Sequence, residues 1–529
     1  VEFRDGPKVS DALETRLHVR HAAPQRRDIL LAHTDGSETN LIAKADPQLV
    51  QGEGTVAVSL SNTRLIELGE AADYLLTYPY GCVEQTSSGL LPWVILGSEQ
   101  DAIPQLNLPP ARARKAVQFG VHRLISMQTH DGGLSYWPGG NRSFLWGSAY
   151  GAIALSHAKA HGYPVPQRAI KKLTSYLSRQ LRRVKTDYHE YGLNNLCMAL
   201  YALALLDKAE PAYHEKLFNN RRHLTDADRA LLARAIQKSG GQREMVHTLL
   251  TGSGRKPIYG WFGCPANSLA LQLSAWCRHD PNSPKVDRLL AQLLAGRKNG
   301  HWVTTQGNAW SLIALADYAG LVEGEPQALS GTIVWRGQKH PFALDAKNRS
   351  VRMLFNNDGK GPEPVLELLN PGNRRIYSSV RVETRTRLRE TPRQNRGFSI
   401  RRSYSRLDEN GKLNELNEWK VGDLVCVSLH LDVDNPGHYV AVDDPLPAVL
   451  EAVNPRFRTQ QNAGEDRRAS GWIVSHSEIR ADRMLYFIDH LPPGQHVFRY
   501  LARVRAPGKA IAASAKIEEM YHPDRHGIS

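Results

Sequence analysis

The residues whose types and spacing could do chemistry are gathered in Tyr78-Pro79-Tyr80-Gly81-Cys82-Val83-Glu84-Gln85-Thr86, where a thiol precedes a carboxamide by three positions. In a tight turn this spacing can bring the Cys82 sulfur close to the Gln85 side-chain carbonyl. Attack with loss of ammonia would then join the two in an internal thioester, a stored acylating agent. Its leaving group is a thiolate, which the positive end of a helix dipole and unpaired backbone N–H groups stabilise. Pro79 and Gly81 close one helical pattern and another begins near Glu84, so the pair sits where that help is available. Taken alone, Cys-x-Glu-Gln at a helix start is more often a plain structural cysteine. The choice depends on the elements around it.

The chain has 529 residues, of which 41% are hydrophobic and 23% charged, the balance of a soluble globular sequence long enough for several domains. No apolar stretch reaches the ~18 residues that span a bilayer, and the opening Val1-Glu2-Phe3-Arg4-Asp5-Gly6 lacks a signal-peptide core. A start on Val suggests a piece whose targeting segment lay upstream. Residues 1–60 read as short strands, with Leu17-His18-Val19 and Thr55 to Leu60 between glycine turns. From 61 to 320 the apolar period becomes helical: Val117, Val121, Leu124 and Ile125 share one face, and Ile170, Leu173 and Leu177 another. About a dozen helices follow, with Gly97, Gly162 and Gly240 as stop signals. Their short connections imply antiparallel hairpins, suited to a solenoid or a closed ring of six pairs. Aromatic, Gly-rich links at Gln128 to Trp137, Tyr259-Gly260-Trp261 and His301-Trp302 suggest repeated units.

Strand sequence returns over 321–390, and 391–529 reads as a further antiparallel sandwich. In the latter, Val425, Val427, Leu429, Leu431 and Val433 alternate with Cys426, Ser428, His430 and Asp432, so Cys426 faces away from the apolar stripe. With β sequence on both sides of the helical block, the expected fold class is multidomain α plus β: an α/α toroid inserted in a β-sandwich, followed by an antiparallel β-sandwich. Two separate small β units are the alternative for the split part.

Other chemistries find less support. Cys82, Cys197, Cys264, Cys277 and Cys426 form no CxxC pair or His/Cys cluster at zinc spacing, so neither a disulfide framework, a metal nor another cofactor is implied. A net charge of +14 permits weak attraction to anionic surfaces, but the densest basic run, Arg381 to Arg406, lies between segments without aromatic interleaving or a nucleic-acid motif. Gln128 to Trp137 resembles the Gln-to-Trp repeats of terpenoid cyclases, a matter of architecture rather than activity. A cyclase would need clustered carboxylates in the helical block, and Asp443-Asp444 lies in the last β region. A Cys/His hydrolase on Cys82 lacks a partner motif.

The wording YPYGCVEQTSSGLLP resembles the thioester motif of bacterial α2-macroglobulins, which usually have Leu at the position of Val83. That difference leaves the reacting atoms untouched. Further resemblance lies in Trp419-Lys420-Val421-Gly422-Asp423, Asp443-Asp444-Pro445-Leu446-Pro447, Leu491-Pro492-Pro493-Gly494 and Glu518-Glu519-Met520-Tyr521, and it covers nearly the whole chain. It implies a CUB domain split over 1–60 and 321–390, a thioester toroid at 61–320 and a final macroglobulin-like domain at 391–529. It also implies a non-enzymatic endopeptidase inhibitor that captures proteases covalently through a Lys amine once an upstream bait region is cut. Upstream macroglobulin and bait domains, a periplasmic address and an inner-membrane association through the absent N-terminal part belong to the same expectation. A thioester exposed to water would hydrolyse. The resemblance assigns its shielding to Tyr78, Met520 and Tyr521. It leaves the acyl-transfer His of some relatives unassigned, with His189 and His301 as candidates. A binding or scaffold protein of this fold without a working thioester is the competing expectation.

Overall fold

The computed structural model describes the chain except at residues 1, 6–7, 13–24, 98, 107–108, 184–189, 258–261, 361–363, 386–392, 408–412, 416–417 and 454–472. Leu17-His18-Val19, His189 and Tyr259-Gly260-Trp261 therefore lie outside the described residues.

Among the described residues, after a one-turn helix α1 (Pro47–Val50), twelve α-helices follow in order: α2 (Gly69–Thr77), α3 (Val83–Ile95), α4 (Pro110–Ser126), α5 (Leu145–Ala160), α6 (Gln167–Arg183), α7 (Glu190–Leu205), α8 (Pro211–Asn219), α9 (Asp226–Lys238), α10 (Arg243–Thr251), α11 (Pro265–His279), α12 (Pro284–Ala295) and α13 (Thr305–Leu321). The odd-numbered helices from α3 to α13 pack neighbour to neighbour, and α13 returns against α3, closing an inner ring. The even-numbered helices lie outside it. Sequence explains which helix goes where. In α6 a single stripe of Ile170, Leu173, Leu177 and Leu181 is buried while Lys171, Lys172 and Arg179 are exposed, the pattern of an outer helix. In α13 every residue from Thr305 to Leu315 is buried, as an inner position requires. Gly97, Gly162 and Gly240 each stand two residues past a helix end; Gly162 and Gly240 take φ of 80° and 69° there, the left-handed backbone of a C-terminal cap. The helical block expected from residue 61 opens with a 3-10 turn, Arg64–Leu68, before α2 starts at Gly69. No helix among the described residues is long and apolar enough to cross a membrane.

Strands from before and after the ring build one sandwich. One sheet runs in the order Gln25–Thr34, Ile376–Arg385, Glu53–Ser61, Ser350–Asp358, and the other in the order Glu38–Asn40, Leu366–Leu369, Leu329–Trp335, Gln338–Leu344. Val56, Val58 and Leu60 meet Ile333, Leu366 and Leu368 between them. The chain thus leaves the sandwich, completes the ring and returns, so the toroid is an insertion. Glu2–Asp5 and Lys8–Ala12 pair only with each other.

The last sandwich sets a five-stranded sheet centred on Leu424–Val433 against a six-stranded one that holds Gly437–Pro445, Arg483–Leu491, Lys516–Glu519 and His522–Ile528. Val425, Val427, Leu429, Leu431 and Val433 all enter its core, whereas Cys426 is buried on the opposite face. The six-stranded sheet has a second apolar face. Met484, Tyr486 and Ile488 point inward, while Leu485 and Phe487, one residue out of phase, point at the toroid. A strand that buries both faces must be apolar at consecutive positions, as Met484 to Ile488 is.

Candidate functional site

The link between α2 and α3 carries the thiol. Tyr78 is already extended (ψ 123°) after α2, as expected of a residue before a proline, and Cys82 caps α3 with ψ 178°. The Cys82 N–H donates to Gln85 Oε1 at 3.2 Å, and the Gln85 N–H faces the sulfur. One side-chain carbonyl is therefore held by the backbone of the residue whose sulfur would attack it. Gly81 leaves room for Arg123: Arg123 Nε donates to its carbonyl at 2.9 Å, and a Cβ at Gly81 would stand 2.8 Å from the guanidinium and displace it. Val83 points the other way, wholly buried in the toroid core, where its branching does not reach the sulfur.

The cover comes from the far end of the chain. Between Lys516–Glu519 and His522–Ile528 the turn residues Met520 and Tyr521 enter the helix start, 3% and 1% exposed. The Gln85 amide Nε2 donates to Met520 Sδ at 3.2 Å. The Tyr521 hydroxyl lies 3.6 Å from Cys82 Sγ, 3.2 Å from the Tyr136 hydroxyl and donates to Glu84 Oε2 at 3.0 Å. Tyr78 donates to the Met520 carbonyl at 3.2 Å, fixing the turn rather than the sulfur. The structure thus brings Tyr78, Cys82, Gln85, Met520 and Tyr521 into one cluster. Cys82 is 0% exposed. Burial, and then the nearby Glu84 carboxylate, push its thiol up to about 12.

Several members of this seam carried no role in the sequence reading. Tyr80 donates to Glu518 at 3.0 Å. Tyr136 and Trp137, delivered by the Gln128 to Trp137 loop, pack against the terminal sandwich; Trp137 lies 4.4 Å from Phe487 and stacks on His476 at 4.9 Å. Tyr439 holds φ 50°, is passed over in the strand pairing between His438 and Val440, and accepts the Met520 N–H at 3.0 Å. A left-handed non-glycine residue re-aims a side chain at a local cost, and here the Tyr439 ring meets Phe262 at 5.1 Å and Tyr521 at 5.7 Å. The available signals were the continuous apolar run Met484 to Ile488 and the aromatic end of the Gln128 loop.

A charged clasp lies beside the seam. Glu478 accepts from Arg123 at 2.6 Å and Arg480 at 2.8 Å, with His476 Nε2 at 3.5 Å. Burial opposes its charge, but these partners outweigh it and hold the carboxyl far below the usual range. His301 stacks on Tyr74 at 4.4 Å and directs Nδ1 to the Trp302 carbonyl.

Residues 397–524 match the bacterial α2-macroglobulin MG10 domain, and an α2-macroglobulin homolog of Nostoc is 26% identical over 90% of this chain and 26% of its own length. The chain is similar to the C-terminal region of the bacterial α2-macroglobulins. The Escherichia coli α2-macroglobulin is 27% identical over 85% of the chain and 28% of that protein, so the chain spans little more than a quarter of these two relatives. The native E. coli structure from domain MG7 to the C-terminus superposes with TM-score 0.75 at 21% identity, over 96% of this chain and 81% of that one. Salmonella α2-macroglobulin reacted with methylamine gives 0.76 at 21%, over 98% and 34%. These likenesses establish the toroid, the split sandwich and the terminal sandwich as the α2-macroglobulin fold.

Proposed function

We propose that the chain is the reactive end of a protease-trapping α2-macroglobulin, with Cys82 and Gln85 joined in an internal thioester. The reading is carried by one observation: a thiol and a carboxamide at a helix start are sealed from water by Met520 and Tyr521 of a separate sandwich. Cleavage of a bait segment upstream moves that sandwich and wets the bond. A Lys amine of the protease then attacks the Gln85 carbonyl. Its nitrogen becomes the amide, it loses a proton, and Cys82 leaves as thiolate. The helix start offers N–H groups to that charge, and no external cofactor is required. The split sandwich serves as the family's CUB domain, and the full-length protein works in the periplasm, attached to the inner membrane through its N-terminal part.

Intact mass tests this directly. A thioester lowers the mass by ~17 Da, and methylamine then adds to Gln85 and frees one alkylatable thiol. An unchanged mass with Cys82 alkylated in fresh native protein favours the second reading, a non-covalent scaffold of the same fold. What supports that second reading is that the Cys82–Gln85 contact is also a complete helix cap.

A further inference from the structure

The covalent reading leaves one buried group without a task. Glu84, between the two reacting residues, is 0% exposed and directs its carboxylate across the seam. It accepts from Ser88 at 2.7 Å on its own helix, from Thr305 at 2.7 and 2.9 Å at the start of α13, and from Tyr521 at 3.0 Å on the terminal turn. The remaining titratable groups that face it are Cys82, Tyr74, Tyr78 and Tyr150; Tyr150 shares the Ser88 hydroxyl at 2.9 Å. No Lys, Arg or His pairs with it among the described residues. A carboxylate buried without a cation is costly.

We propose that Glu84 and the Tyr521 hydroxyl form a proton relay that makes the thioester in the closed molecule. The proposal rests on the covalent reading above. The Tyr521 hydroxyl is the only group placed to do this among those described: it touches Cys82 Sγ at 3.6 Å and Glu84 Oε2 at 3.0 Å. The Cys82 proton passes to the Tyr521 oxygen as the Tyr521 proton passes to Glu84. The sulfur attacks the Gln85 carbonyl carbon, whose oxygen is held by the Cys82 N–H. The C–N bond breaks, and the proton stored on Glu84 returns through Tyr521 to the departing nitrogen. Thiol and carboxamide become thioester and ammonia, with no net change at either relay group. A base at this place is needed because the buried thiol keeps its proton far above neutral pH, while burial also raises the Glu84 carboxyl toward it. Glu84 acts through Tyr521 and is a positioning residue; Tyr521 touches the sulfur. The terminal sandwich thereby does two jobs, since the residue that shields the bond also completes the machinery that makes it.

The test follows bond formation as newly made, unfolded, reduced chain is refolded between pH 6 and 9, reading the ~17 Da loss against time. Glu84→Gln keeps the shape and one of the two acceptor oxygens, and Tyr521→Phe keeps the shielding ring. Each is expected to slow formation by roughly a hundredfold at pH 7 and to make the remaining rate rise with hydroxide, while the double variant is no slower than either. A Glu84→Gln rate equal to wild type, or slowed by one constant factor at every pH, overturns the relay and leaves the thioester intact. Should Glu84→Gln not fold, Tyr521→Phe decides: a wild-type rate and profile overturn the relay. Wild-type chain that loses no mass at any pH overturns the thioester reading and the relay with it.

Discussion

Two inner helices of the ring begin on a cysteine with a carboxamide three residues further on, and the pair is instructive because only one has a lid. At α3, Cys82 N–H donates to Gln85 Oε1 at 3.2 Å; at α11, Cys264 N–H donates to Asn267 Oδ1 at 3.3 Å. Both cysteines are buried, and neither is in a disulfide among the described residues. Around Cys264 the partners are local to the ring: its thiol donates to Asn267 Oδ1 at 3.2 Å, Thr304 donates to its sulfur at 3.5 Å, and the Asn267 amide is tied to Gln306 at 2.6 Å. Around Cys82 the partners are Met520 and Tyr521 of another domain. Asn is also one methylene shorter than Gln, which restricts how its carbonyl can approach the sulfur. A cysteine–carboxamide cap is therefore a structural solution this toroid uses twice, and geometry at the helix start does not by itself make a reactive bond. On the proposed reading, the removable cover does.

The largest effect that could break this contrast is all-or-none. Cys82→Ala is expected to abolish both the mass deficit and the methylamine-released thiol, while Cys264→Ala leaves both unchanged; intact mass and thiol titration decide, and a deficit that survives Cys82→Ala ends the assignment. Next is the cover. Phe487→Ala removes a ring packed between Tyr80 and Trp137 and should cost about 3–5 kcal/mol, seen as a lower midpoint for the terminal sandwich and faster spontaneous loss of the thioester, with Cys264 still protected from alkylation. Stability that falls at the ring instead would mean the seam is not what holds the sandwich.

A smaller effect comes from the clasp. Because the folded state depresses the Glu478 carboxyl, its contribution is complete above the unfolded carboxylate value and is lost as pH falls below about 4.5 toward the folded one. The denaturant midpoint of the terminal sandwich should fall over that acid range, and Glu478→Gln should remove this pH dependence and cost about 1.5–3 kcal/mol; a flat profile in the wild-type chain would dismiss the clasp. The smallest effect is at the second cap. Asn267→Ala should lower stability by about 1 kcal/mol in denaturant unfolding without altering the mass deficit.

Much of the architecture was legible because it is written in local periods. The alternation through Val425 to Val433 gave a strand with Cys426 on its far side, and the 3.6-residue stripe of Ile170, Leu173 and Leu177 gave a helix. The nine-residue helices Pro211–Asn219 and Arg243–Thr251 left thinner traces, because each buries only two or three residues. The reactive pair was legible as a spacing, and its lid only through family resemblance. Tyr80, Glu84, Tyr136, Phe262, Thr305, Tyr439 and Phe487 were not legible as site residues at all, since each looks like ordinary core or loop until the sheet face that meets it is known.

The sequence alone determined that a thiol and a carboxamide would stand together at the start of α3, because Pro79, Gly81 and the following helical period are contiguous and act within a turn or two. Only the tertiary structure decided that the place is dry. The contact from Gln85 to Met520 spans 435 positions. It depends on a strand burying both faces, on left-handed backbone at Tyr439 that turns a ring, and on an ion pair between Arg123 and Glu478. None of these is encoded by local periodicity, because each exists only once two separately folded surfaces have met.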